Sequence, residues 1–387
     1  MLEDYSLRVP GEVYGGKHAL ENIEDILKKN KVKKAALFSD KGIIASGLTD
    51  YPAELVKKAG VELTVIDDLH PEPSYGQVQE VADRFRKTGA DFIIAIGGGS
   101  VMDAAKLASV LSTDEYTCKD LLDDPKQAVK QVKSLMIPTT AGTGAEATLN
   151  AIVAVPEKEV KVGIVNGELI PDHVILDGRM IAKLPRKIAA STGIDALCHA
   201  VECFTSKKAN SFSDTFALKA LDLILANIEK ACDDPEALVE KGNMLNAAFY
   251  AGVAITSSGT TAVHALSYPL GGKYHIAHGV SNAILLIPVM KFNEPEIKGR
   301  LAEAYDSCCH EENRLKTVDE KSAWMIEKME SIVKHLDIPT NLSEWNVTRS
   351  DLDFLAKSGL EQQRLLVNNM RELTLEDAKM LYEQILA

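Results

Sequence analysis

The chain has 387 residues, 46% hydrophobic and 26% charged. This is ordinary globular composition with material for about two domains, and it excludes a disordered, collagen-like or disulfide-scaffold protein. Lys and Arg number 43 against 56 Asp and Glu, a net charge of −13, so long-range repulsion argues against nucleic acid as a partner. The six cysteines, Cys118, Cys198, Cys203, Cys232, Cys308 and Cys309, lack the paired spacing of a zinc ribbon or a secreted framework and read as reduced thiols. Met1-Leu2-Glu3-Asp4 carries acid where a signal peptide needs base, and no apolar run approaches the ~20 residues that span a bilayer. The expectation is a cytoplasmic protein with no membrane contact.

From Lys33 to Pro138, short apolar runs alternate with helical spacing. The runs 34–38 (KAALF), 61–66 (VELTVI), 91–96 (DFIIAI) and 134–138 (SLMIP) predict strands buried on both faces. Residues 43–59, 75–88 and 100–111 predict the helices between them, hence a parallel sheet. Residues 149–155 and 160–165, joined by Pro156-Glu157-Lys158-Glu159, predict a hairpin beside that sheet. Beyond about Leu184 the pattern becomes helical. Helix starts are expected after Ser191-Thr192, at Asp234-Pro235 and at Thr374-x-x-Asp377. The organisation expected is an α/β domain over 1–184 and an all-helical domain over 185–387, packed firmly with a cleft between them.

Gly97-Gly98-Gly99-Ser100 stands between a strand and a helix. Glycines there let the backbone approach a ligand, and the helix start attracts an anion, so a phosphate fits. A tight turn in which Ser100 caps the helix and Asp103 completes a capping box accounts for the same residues. A second small-residue loop, Thr139-Thr140-Ala141-Gly142-Thr143-Gly144, leaves the same sheet edge, as two loops on a dinucleotide do. Asp40 leaves that edge too, where a carboxylate can accept from ribose hydroxyls and repel a 2′-phosphate; a helix-cap aspartate is the alternative.

In the helical half, Asp195 and His199 lie four residues apart on one helix face, a spacing that can chelate a metal. Glu202, three residues on, is placed to orient His199. A second cluster holds His264, His275 and His278; Pro269 and Gly271-Gly272 are expected to break the chain so that His278 folds back, with Gly279 allowing close approach. Asp195, His199, His264 and His278 would then make an N3O set suited to Fe(II) or Zn(II). The alternative for His264 and His278 is an ordinary core or cap histidine.

Taken in order, 97–106 (GGGSVMDAAK), 138–148 (PTTAGTGAEAT), 169–177 (LIPDHVILD), 193–206 (GIDALCHAVECFTS), 264–286 (HALSYPLGGKYHIAHGVSNAILL) and the closing NNMRELTLEDAKMLYEQIL resemble the iron-containing (group III) alcohol dehydrogenases end to end. The resemblance implies an α/β nucleotide-binding domain plus an all-α domain, the dehydroquinate-synthase-like fold, with nucleotide and metal meeting in the cleft. It implies Asp195, His199, His264 and His278 as ligands of Fe2+, Zn2+ or another divalent metal. Gly97, Gly98, Gly99 and Ser100 are implied as pyrophosphate binders, with Asp103, Thr139, Thr140, Thr143 and Lys161 as further cofactor contacts. Asp40 falls at the position that sets coenzyme choice, favouring NAD over NADP. Many members carry a histidine four residues after the third ligand. Here it is Tyr268, so Tyr268 and His275 become the candidates for relaying the alcohol proton.

The function implied is reversible hydride transfer between a small alcohol or aldehyde and NAD in a homodimer or larger homo-oligomer. A hydroxyacid-oxoacid transhydrogenase and a non-catalytic nucleotide-binding scaffold are the rival readings.

Overall fold

The computed structural model describes residues 4–158, 160–310 and 314–386. Glu159, at the end of the expected hairpin turn, and Met1-Leu2-Glu3, read above for a leader, lie outside them. The chain divides into two units, Arg8–Leu184 and Met1–Leu7 with Pro185–Ala387.

In the first unit the strands are β1 (Glu12–Gly15), β2 (Lys34–Phe38), β3 (Glu62–Ile66), β4 (Phe92–Gly97), β5 (Lys133–Pro138), β6 (Asn150–Val155), β7 (Val160–Val165) and β8 (His173–Leu176). The helices are α1 (Asn22–Lys29), α2 (Lys41–Ala45), α3 (Asp50–Lys58), α4 (Tyr75–Thr88), α5 (Gly99–Val110) and α6 (Cys118–Asp123). Six strands form one sheet in the order β1-β8-β5-β4-β2-β3, every pair parallel. β6 and β7 pair antiparallel as a separate ribbon. Every residue of β4 is buried, and Ile93, Ile94 and Ile96 are fully so. Each such side chain contributes about 1.5–3 kcal/mol, which is why this strand occupies the middle.

Two strand readings needed correction. β3 is an edge strand whose side chains are mostly half-buried or exposed, because among the described residues only β2 pairs with it. β1 and β8, absent from the sequence reading, close the other side. The expected helix over 43–59 is two helices, α2 and α3, parted at Gly47, whose φ is +77°.

Among the described residues the second unit is entirely helical: α7 (Arg186–Phe204), α8 (Ser211–Asp233), α9 (Leu238–Ser257), α10 (Ala262–Tyr274), α11 (His278–Cys308), α12 (Val318–His335), α13 (Leu352–Leu360), α14 (Gln363–Leu366) and α15 (Leu375–Ile385). The stretch ahead of Arg8 belongs here. Tyr5 packs edge-on to Phe212 and its hydroxyl meets Ser211 Oγ at 2.7 Å, while Ser257 Oγ donates to Ser6 O at 3.0 Å.

Helix starts are mixed. Thr374 and Asp377 form the expected capping box of α15. Ser191 and Thr192 do not start a helix; they lie inside α7, their hydroxyls donating back to Ile188 O. Asp234 ends α8, and its carboxylate accepts from Glu236 N in the turn before α9. Nor do Pro269 and Gly271-Gly272 break the chain: α10 runs through them to Tyr274, and the turn comes at His275, held at φ +55°. The proline ring is tolerated within the helix because neighbouring packing, with Pro269 itself buried, outweighs its one missing N–H.

Candidate metal centre and nucleotide loops

Asp195 and His199 share a face of α7, His264 is the third residue of α10, and His278 opens α11. Each offers one ligand atom, and the four atoms lie within 4.8 Å of one another. From Asp195 Oδ1 the distances are 3.9 Å to His199 Nε2, 3.7 Å to His264 Nε2 and 3.5 Å to His278 Nε2. The His199 and His264 rings stack with centroids 4.5 Å apart. Gly279 permits the arrangement: a Cβ there would stand 2.1 Å from Ser191 O, so only glycine lets α11 start against α7.

Glu202 serves a different histidine from the one expected. Its Oε2 bonds His264 Nδ1, while Oε1 accepts from Thr261 N at 3.2 Å, Thr261 Oγ1 at 2.6 Å and Val263 N at 2.7 Å. The start of α10 is built around that carboxylate, which therefore fixes the His264 ring with Nε2 turned towards Asp195. His199, on Glu202's own helix, is not its partner in these bonds.

The donor set fits a divalent cation. Asp195 and Glu202 are 2% and 0% exposed, and two buried carboxylates demand positive charge nearby. Burial alone would raise the Asp195 pKa, but His199, His278 and His264 around it hold the carboxyl far below its usual range. Burial likewise opposes a charged His264, but Glu202 and Asp195 lift its pKa to about 9. Asn282, one turn after His278, points Nδ2 at Asp195 Oδ1 (2.7 Å), His264 Nε2 (3.2 Å) and His278 Nε2 (3.3 Å). The amide nitrogen thus lies close to three of the four ligand atoms at once, on the side to which they all turn. Three imidazoles and one carboxylate without thiolate suit Fe(II) or Zn(II).

The nucleotide candidates lie in the other unit, on loops at the carboxyl ends of β2, β4 and β5. Strand order reverses between β2 and β4, where open α/β sheets bind ligands. Gly97 ends β4, Gly98 is the N-cap of α5, and Gly99 presses on the second loop: a Cβ there would meet Thr143 Cγ2 at 2.8 Å. Thr140 sits over Gly98, and Thr139 N donates to Gly97 O at 3.0 Å. The two loops thus form one surface around the start of α5.

Ser100 is inside α5 rather than its cap, and its Oγ accepts from Glu72 N at 3.0 Å. Asp103 makes no capping box: Oδ2 accepts from Ile152 N, and Oδ1 pairs with the fully buried Lys106, both at 3.0 Å. It ties the helix to β6 from below the loop. Asp40 caps α2, with Oδ1 accepting from Ile43 N at 2.9 Å. Lys161, on β7, pairs with Glu72 at 2.5 Å. Glu146, just past Gly144, is wholly buried with Oε1 unpartnered, and burial pushes its carboxyl up to about 7.

Two family models cover nearly the whole chain: iron-containing alcohol dehydrogenase over residues 10–178, and the C-terminal region of the Fe-containing alcohol dehydrogenase family over 189–386. The chain belongs to the iron-containing alcohol dehydrogenase family. The long-chain-alcohol dehydrogenase 1 of Geobacillus thermodenitrificans is 33% identical over 373 residues, 95% of this chain and 93% of its own. Among solved structures, a 1,3-propanediol oxidoreductase superposes with TM-score 0.93 at 28% identity, covering 99% of this chain and 100% of its own. Sulfoacetaldehyde reductase from Bifidobacterium kashiwanohense, solved in complex with NAD+, superposes with TM-score 0.88 at 27% identity, covering 100% and 99%. As an iron-containing alcohol dehydrogenase the chain has the dehydroquinate-synthase-like fold and is an oxidoreductase of alcohols and aldehydes.

The two proton-relay candidates of this alcohol dehydrogenase part company. Tyr268 is buried, its ring centroid 6.1 Å from that of His278. Its hydroxyl pKa is raised by burial, which the nearby Arg364 opposes. His275 is exposed at the end of α10. Sequence reasoning passed over Glu72, Asn282 and Arg364. The four-residue spacing from His278 could have found Asn282; the others carry no local signal.

Proposed function

We propose that this iron-containing alcohol dehydrogenase transfers hydride reversibly between a small alcohol or its aldehyde and NAD, with Fe2+ or another divalent cation held by Asp195, His199, His264 and His278. The observation that carries the reading is the convergence of those four ligand atoms within 4.8 Å, with Asp195, His199 and His264 buried. When bound, a divalent cation supplies Lewis acidity towards an alcohol or carbonyl oxygen. Glu202 keeps His264 in the tautomer whose Nε2 faces the ligand cluster. Tyr268, protonated at neutral pH and beside His278, donates to the substrate oxygen and holds its proton; the exposed His275 has no such placement.

In the other unit, Gly97–Ser100 and the N-terminus of α5 take the pyrophosphate, with Thr139, Thr140 and Thr143 as the second wall. Asp40 accepts from a ribose hydroxyl and repels a 2′-phosphate, favouring NAD. Lys161 contacts the cofactor on its ribose side, with Glu72 setting its charge balance. Asp103 acts through the framework beneath the loop. All six cysteines are free, which supports a reducing, cytoplasmic setting; no helix among the described residues is long and apolar enough to cross a membrane. The family likeness extends the reading to a homodimer or larger assembly.

The test is purified protein with iron(II) or zinc(II) and NAD, screened on an alcohol and aldehyde panel for NADH change. His264→Ala should lower bound metal and abolish turnover while NADH binding survives. Silence across the panel, or full activity in that variant, would refute the reading.

A further inference from the structure

An acidic side chain stands at the rim of the proposed pyrophosphate loop. The segment from His70 to Ser74 lies between β3 and α4, where Ser74 makes a capping box with Gln77. On the way it is tied down on two sides. Glu72 N donates to Ser100 Oγ at 3.0 Å, at the start of α5, and Ala154 N of β6 donates to Pro73 O at 3.0 Å. Ala154 is the cross-strand partner of Lys161 on β7, so the segment runs past that lysine. There Glu72 Oε1 meets Lys161 Nζ at 2.5 Å. Glu72 is held at φ +52°, a conformation costly for a residue with a Cβ. The Lys161 side chain is 8% exposed and that of Glu72 37%, so the carboxylate is the more open of the two to an arriving ligand. A helix start favours negative charge, and Glu72 brings a fixed one beside it. The Ser100 hydroxyl, accepting from Glu72 N, keeps its own O–H to give to an anion.

We infer that Glu72 sets the affinity for the dinucleotide: its carboxylate cancels the charge of Lys161 beside Ser100, so that the pyrophosphate is held by neutral donors and leaves readily after each hydride transfer. The inference rests on the nucleotide reading above and says how tightly that site grips. A pyrophosphate carries two negative charges, and a balanced pair attracts it far less than a bare ammonium would. A pair that merely stapled the segment to the ribbon would act in the opposite sense, since breaking it from either end would loosen the site.

The test measures NADH and ADP-ribose binding to the zinc-loaded protein by calorimetry. Glu72→Gln, which keeps the shape and removes the charge, should bind both at least about five-fold more tightly, and Lys161→Gln at least about five-fold more weakly. The double variant should return to within about two-fold of wild type, because a neutral pair replaces a balanced one. Raising salt from about 0.01 M to about 1 M shortens the screening length from about 30 Å to about 3 Å, so the gain in Glu72→Gln should fade across that range, which a change of shape would not do. Glu72→Gly, whose backbone accepts φ +52° without strain, should repeat the gain if the glutamine variant folds poorly.

A folded Glu72→Gln or Glu72→Gly protein that binds NADH no more tightly than wild type, or a double variant no better than Lys161→Gln, would overturn the inference and leave the nucleotide reading intact. Wild-type protein that binds neither NADH nor ADP-ribose would sink both.

Discussion

Replacing Glu202 by glutamine perturbs the metal centre without removing a ligand. The side chain is isosteric, and its carbonyl can keep the three donors now on Oε1, Thr261 N, Thr261 Oγ1 and Val263 N. The amide then turns an N–H towards His264 Nδ1, which has to become an acceptor, so the ring proton moves to Nε2. That is the atom 3.7 Å from Asp195 Oδ1, and protonating it removes a metal lone pair. Flipping the amide instead sets its NH2 against three donors in a fully buried place.

Either route forfeits at least one charge-assisted hydrogen bond, about 1.5–3 kcal/mol. Loss of such a supporting partner lowers metal affinity by about 10–100-fold, which at 1.4 kcal/mol per decade is about 1.4–2.8 kcal/mol; the two figures agree. The assay titrates metal-free protein with zinc(II) or cobalt(II) against a chromophoric chelator, with circular dichroism showing that the variant is folded. A folded Glu202→Gln protein with wild-type metal affinity would mean that Glu202 does not orient His264 for coordination.

Three further outcomes are expected. Gly279→Ala places a Cβ 2.1 Å from Ser191 O, a clash with backbone that α11 must move to relieve; we expect about 3 kcal/mol of lost stability and less bound metal, read by thermal melts and metal analysis. Asp40→Gly should cost only about a few tenths of a kcal/mol, since glycine is itself a fair N-cap, while raising kcat/KM for NADPH relative to NADH; an unchanged ratio would remove Asp40 from coenzyme selection. Glu146 has a folded pKa of about 7 against an ordinary 4.5, so the native state holds its proton more tightly. The stabilisation is complete below the ordinary value and is lost as pH rises through the folded one, amounting to about 3 kcal/mol at most. Glu146→Gln cannot ionise, so its melting temperature should gain on the wild type over that window and level off above it. A constant difference across the same range would show that burial does not act on this carboxyl.

What the sequence made legible follows the range of the forces involved. β2, β4 and β5 are unbroken apolar runs because they are enclosed on both faces, and their letters say so. β3 has the same kind of letters but lies at an edge, a fact set by which strands pair and not by its own composition. β1 and β8 are four residues each, too short for a period to register. The ligands Asp195 and His199 were readable because one helix turn fixes their spacing. Glu202 is equally close to His199 in sequence, but α10 packing against α7 delivers it to His264. Pro269 reads as a break locally and is overruled by the buried surroundings of α10. Leu365 meets Tyr268 across nearly a hundred residues of chain, and no local pattern announces such a pairing.

The placement of β1 has a consequence for how the protein is made. It is translated before every other strand of this sheet, yet its sole sheet neighbour among the described residues, β8, lies at residues 173–176. Until β8 has been translated, β1 has no edge to join, and β5 has one flank bare. Closing so long a loop is entropically slow, so during biogenesis the half-built sheet presents an open seam to solvent and to chaperones, and sealing it is the final act in assembling the nucleotide half.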